Sequence, residues 1–253
     1  LRSRGLGDVY KRQTYDNAVI ENSKISEKNK IQNNQSMLDD IMNSTQYPKQ
    51  LKDLALKNEE ALEFVYDYPA EHVKEHTIDL TEEASMDSVP LFVQWDKRWG
   101  YEKYSGNFFA ASGCGPTTLS MVVVYLTHNR DASPIAVAKY SKEAGYSVDG
   151  SGSSWTLISE GCMHYGVKAK AVALDESRMK AELDEGHPIV VNVGPGDFTD
   201  TGHFMVITGY DDEGFSINDP NSIEKSGKRW LFKNISSQIR AVWSMYVLSL
   251  IHI

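Results

Sequence analysis

Apolar residues are unevenly spaced along the chain, and their spacing changes character several times. Residues 14–46 scatter a few Ile, Met and Leu among Asn, Ser, Lys, Gln and Glu, too little apolar surface to offset the entropy of ordering. That stretch is expected to be a polar tether, disordered or weakly helical. A helical spacing begins after Tyr47 and Pro48 with Leu51, Leu54, Ala55 and Leu56. A second follows in Ala61, Leu62, Phe64, Val65 and Tyr66, predicting two short helices. Residues 71–88 are acidic and poor in large apolar side chains, so 47–88 reads as short helices followed by a linker.

The main domain is expected over 89–247. Residues 89–95 (VPLFVQW) read as a strand, and the apolar run 119–126 as a helix. Pro134 behind Ser133 starts a further helix through Lys142. Ser153, after the turn of Gly150 and Gly152, is read as the N-cap of a helix containing Trp155, Leu157, Ile158 and Met163. Residues 167–174 alternate as a strand, and Asp175 caps a helix that stops at Gly186. Strands follow at 187–193, 202–210 and 215–218, with a hairpin turn at 211–214 and a last strand over 240–247. Helices come first and an antiparallel sheet second, so the fold class is α+β.

Composition narrows the choice of partners. The formal net charge of −9 over 253 residues argues against a nucleic-acid binder, which needs clustered Lys and Arg. No apolar stretch approaches the roughly 18 residues of a membrane span. Two cysteines, Cys114 and Cys162, give no disulfide framework. The ends need separate treatment. Residues 8–13 (DVYKRQ) and 248–253 (LSLIHI) can be written by complementary DNA strands that resemble a transposon end used as a sequencing adaptor. Residues 1–13 and 248–253 are therefore read as adaptor-derived. An exported or surface-anchored protein is expected, from the polar stalk, with a signal or lipoprotein segment upstream of the surviving chain.

The chemistry gathers around Ser112-Gly113-Cys114-Gly115-Pro116. Proline suits the first turn of a helix, which puts Cys114 at a helix N-terminus, where orphan N–H groups and the macrodipole favour a thiolate. The flanking glycines are expected to leave the sulfur unshielded for a substrate backbone. His203 opens one strand and Asp219 closes its hairpin partner, about three residues out of register by count, a gap that a bulge would close. Cysteine, histidine and carboxylate so disposed suit nucleophilic acyl transfer. Trp95, Trp99 and Tyr101 fit either a core edge or a cleft wall. His72 and His76, and Asp197, Asp200, Asp211 and Asp212, match no regular metal-ligand spacing, and His128, His164 and His187 have no matched partner. Neither metal nor cofactor is expected.

In order, VPLFVQWDKRWG, GCGPTTLSMV, GHPIVVNV, GHFMVITGY and INDPN resemble the papain-like cysteine peptidases related to bacteriocin leader-processing peptidases, in their stand-alone, transporter-free branch. The resemblance covers residues 89–247 and, more weakly, back to Tyr47. It implies a papain-like fold, helices carrying the nucleophile packed on a C-terminal antiparallel sheet, with Cys114 as nucleophile, His203 as base and Asp219 as third member. The leader-processing enzymes carry a Gln six residues before the cysteine, where this chain has Phe108. Gln94 is the expected replacement oxyanion donor, with Asn107 and Ser112 next. The expected activity is hydrolysis of a peptide or protein by a monomer. The alternatives are a cell-wall amidase or endopeptidase with the same triad, and a catalytically idle peptide-binding surface module.

Overall fold

A computed structural model describes residues 26–248. The expected adaptor segment 1–13, the first part of the tether and residues 249–253 lie outside the described residues. The chain divides into two compact units, one through Asp67 and one from Tyr68.

In the first unit the chain is helical over 26–43 and again over Lys49–Lys57 and Leu62–Tyr66. Pro48 precedes the second helix without a side-chain cap, and Leu51, Leu54 and Ala55 form its buried stripe. Asn34 Nδ2 donates to Glu59 Oε1 at 2.8 Å.

The second unit is built on a long apolar helix, α1 (Cys114–Thr127), whose residues from Gly115 to Val124 are all buried. A helix apolar all round must be enclosed on every side. Its neighbours are α2 (Pro134–Glu143), with Ser133 Oγ accepting from Ala136 N–H as the N-cap, and a six-stranded antiparallel sheet. The strands are β1 (Val167–Ala171), β2 (Ile189–Val193), β3 (His203–Asp211), β4 (Gly214–Asn218), β5 (Arg229–Trp230) and β6 (Ile239–Val247), in the order β1-β6-β2-β3-β4-β5. Helix α3 (Glu176–Asp184), capped by Asp175, precedes β2. Alternation sorts the sheet residues into two cores: Val190, Phe204, Val206 and Met245 join α1, while Ile189, Val191, Met205 and Ile217 join Met179 of α3. The arrangement is α+β, as the order of elements predicts. Among the described residues no helix is long and apolar enough to cross a membrane.

Three local expectations fail for physical reasons. Residues 89–95 form no strand. Pro90 has no N–H for a ladder, and the Val89 and Pro90 carbonyls accept instead from Asn218 Nδ2, at 3.0 and 3.1 Å. Residues 71–88 are not simply a linker, because Leu80 and Ala84 are buried in the α1 core and Glu83 pairs with Arg98 at 3.0 Å. Ser153 caps no helix. Its hydroxyl is taken by Tyr104 at 2.6 Å, and the following helix, Thr156–Ser159, breaks at Glu160 into the 3₁₀ segment Gly161–Tyr165.

Candidate active site

Cys114 is the first residue of α1, with Gly113 at the N-cap; the residue is half-buried and lines a cleft of about 810 Å³. Both flanking glycines answer to packing rather than to substrate access. A Cβ on Gly115 would lie 2.6 Å from Ser153 Oγ, and one on Gly113 would lie 2.6 Å from the Phe109 ring. Thr118 Oγ1, one turn on from Cys114, donates to the Phe204 carbonyl at 3.1 Å. The helix start is thereby pinned to the opening of β3, where His203 stands.

His203 is buried, and its Nε2 lies 2.7 Å from Asp219 Oδ1. The same carboxylate oxygen accepts the Asn221 N–H at 2.8 Å, which fixes its orientation. Cys114 is the other ionisable group that interacts with the ring. Register explains the meeting. From Asp211 back to Gly209, β3 pairs with β4 in one register, and from Ile207 onward in another, with Thr208 as the extra residue. Beyond that bulge Val206 pairs with Asn218, the last residue of β4, so the chain leaves the strand at Asp219 close to the opening of β3, where His203 stands.

The electrostatics follow from this geometry. Burial works against charge on His203, but the Asp219 carboxylate, by charge and hydrogen bond, and then Cys114 raise its pKa to about 10. Burial likewise pushes the Cys114 thiol up, and it is outweighed by the His203 hydrogen bond and charge together with the N–H groups of Phe204 and Gly115, so its net shift is downward. Cys162 has no charged partner, and burial outweighs the N–H groups of Cys162 and Met163 to push its thiol up to about 11.

Gln94 is buried and does not line the cleft. Its Nε2 donates to the Ala110 carbonyl at 2.7 Å, and its Oε1 has no partner among the described residues. Ser112 Oγ donates to the carbonyls of Tyr104 and Phe108, at 2.8 and 3.0 Å. Asn107 lines the cleft, with its Oδ1 accepting the Phe108 N–H at 2.7 Å. Trp99 packs on Phe92, and neither it nor Trp95 nor Tyr101 faces the cleft. Two cleft residues that sequence reasoning did not single out are Trp155, which is 48% exposed, and Arg240. The remaining histidines have other occupations: His128 Nδ1 meets the Ala84 carbonyl, His164 stacks on Tyr140 and His187 neighbours Glu182.

A family model described as the Peptidase_C39 like family matches residues 86–248. The chain belongs to the Peptidase_C39 like family. Its matched segment contains the α1 helix, the whole sheet and the Cys114–His203–Asp219 cluster, and membership places the chain among peptidases. Two solved structures are similar to it. One is the peptidase domain of Streptococcus ComA, a bi-functional ABC transporter involved in a quorum-sensing pathway. It is 18% identical, with 54% of this chain and 93% of that one covered and a TM-score of 0.43. The other, from Bacillus anthracis and described as C39-like, is 16% identical, with 63% and 95% covered and a TM-score of 0.38. Comparison with curated proteins gives no match.

Proposed function

We propose that this member of the Peptidase_C39 like family is a cysteine peptidase that cleaves a peptide bond through a thioester on Cys114. The observation that carries the reading is the imidazole of His203, bonded through Nε2 to Asp219 at 2.7 Å, together with the cleft-lining Cys114 whose thiol that imidazole helps to hold below its ordinary pKa. The thiolate attacks the scissile carbonyl carbon. The protonated His203 then gives its proton to the leaving amine, and afterwards takes one from the water that hydrolyses the thioester. Asp219 holds the ring tautomer and offsets the imidazolium charge. No step draws on a metal or a cofactor.

The tetrahedral oxyanion needs donors aimed at it. Cys114 N–H at the helix start supplies one. The candidates for the second are Gln94, buried behind the cleft lining with one Nε2 hydrogen spent on the Ala110 carbonyl, and Asn107, which lines the cleft. The cleft walls suit an extended peptide, since Gly106, Gly150, Gly152, Gly194 and Gly202 let a substrate backbone come close.

A peptide-library digest compared between the natural protein and Cys114→Ala tests the reading. Defined cleavage products that vanish in the variant are expected; products undiminished in the variant would overturn it. Fragments released from purified sacculi, with no library cleavage, would instead mark a cell-wall amidase or endopeptidase. Absence of products from both, with peptide still bound, would mark a binding module.

A further inference from the structure

Arg240 is the one charged side chain among the described residues lining the cleft that holds Cys114. Its position there is produced by a second irregularity in the sheet. Strand β6 pairs with β2 so that Ile239 faces Val193 and Ala241 faces Asn192, leaving Arg240 as an extra, unpaired residue. Bulges of this kind re-aim a side chain and occur near the working edges of sheets. Here the side chain is turned across Gly194, another cleft residue. A Cβ at 194 would lie 2.6 Å from Arg240 Nε and 3.0 Å from Nη2, so the guanidinium occupies space that any side chain at 194 would take.

No carboxylate among the described residues answers this charge. Asp197, on the turn that follows Gly194, is held by Gln238 Nε2 at 2.6 Å, and Asp211 is held by Arg229 at 2.6 Å. In a chain of net charge −9, a cleft guanidinium without an ion-pair partner among the described residues stands apart. A guanidinium offers a planar fork of donors that matches a carboxylate bidentately.

Resting on the peptidase reading of the cleft, we infer that Arg240 selects substrates by binding a carboxylate, so that the preferred peptide carries an acidic group near its scissile bond. A negatively charged chain repels such a substrate in general, which makes a single positive contact inside the cleft more discriminating. The carboxylate is either an Asp or Glu side chain or the free C-terminus of a short peptide.

Matched peptides separate the two sources. One set has an amidated C-terminus and carries Glu or Gln at each position in turn around the cleavage site; the other has only neutral side chains and a free or amidated C-terminus. The natural protein is expected to favour the carboxylate member of one set by roughly two- to fivefold in kcat/KM, the size of an exposed but directed charge pair. That ratio should fall toward one in Arg240→Gln, persist in part in Arg240→Lys, and invert toward Lys-bearing peptides in Arg240→Glu. An unchanged ratio in Arg240→Glu would overturn the inference. Calorimetric binding of the same peptides to Cys114→Ala repeats the comparison without turnover. Carboxylate-selective binding lost in the Arg240→Glu double variant supports the role of Arg240 even if Cys114 proves not to be the nucleophile.

Discussion

Asp219 reaches Nε2 of His203 at 2.7 Å because one extra residue, Thr208, interrupts the pairing of β3 with β4. The bulge shifts the register by one residue and so, counted one residue past the end of β4, shortens the offset between the two side chains from three residues to two. Since Asp219 is almost wholly buried, its charge is compensated chiefly by the imidazolium and by the Asn221 N–H.

Asp219→Asn should therefore lower stability in a pH-dependent way. The folded-state pKa of His203 is raised, from 6.5 to about 10. The stabilisation by the charged pair is thus complete below about pH 6.5 and is lost as the pH rises through about 10. Thermal unfolding should show a deficit of roughly 1.5–3 kcal/mol near pH 6, the size of a hydrogen bond to a charged group, shrinking by pH 10.5. An equal deficit at both pH values would contradict the pairing. Turnover should fall on the order of 10²-fold or more, yet less than in Cys114→Ala, because only the orientation of the base is disturbed.

Alkylation should single out Cys114. Its thiol lies below the ordinary range, whereas burial pushes Cys162 up to about 11. Iodoacetamide should label one site per chain, with reactivity persisting below the free-thiol value of about 8.5. His203→Ala should move the profile up toward that value and abolish turnover. A profile unmoved by His203→Ala would remove the imidazole from the mechanism. In the natural protein the acid limb of turnover should follow protonation of the thiolate, and the alkaline limb loss of the imidazolium proton near 10.

Gln94→Ala separates oxyanion stabilisation from nucleophilicity. Acylation of a peptide should slow on the order of 10²-fold, about 3 kcal/mol, while labelling by iodoacetamide persists, since alkylation forms no oxyanion. If Gln94→Ala leaves acylation intact and Asn107→Ala slows it, the second donor is Asn107, the cleft-facing amide.

Gly115→Ala should destabilise the fold without any change of charge. The new methyl would press on Ser153, whose hydroxyl is bonded to Tyr104. Overpacking of this kind costs roughly 1–3 kcal/mol, and the melting temperature should fall by about 2–4 °C for each kcal/mol. A melting temperature unchanged in Gly115→Ala would mean that Ser153 moves aside freely.

Much of the frame was legible in the residues. The periodicity of 119–126, the caps at Ser133 and Asp175, and the hairpin turn at 211–214 are local signals, and the elements follow them. The proximity of His203 and Asp219, and the need for a bulge between them, are countable from the turn, although the position of the bulge is not, because Thr208 carries no local mark of being the extra residue. The reading failed where long-range partners override local preference. Val89 to Trp95 look like a strand, but Asn218 takes their carbonyls; the glycines beside Cys114 look like access for substrate, but they make room for Phe109 and Ser153. Arg240 carries no local mark of a cleft residue, since a single charge in an alternating segment normally marks a solvated face.

Intact-protein mass spectrometry of the protein mixed with a cleaved peptide and quenched in acid tests the central claim most directly. A transient adduct is predicted whose mass equals the acyl portion of the substrate, located on the peptide containing Cys114, released as a thioester by hydroxylamine and absent from Cys114→Ala. Cleavage that proceeds undiminished in Cys114→Ala would contradict it.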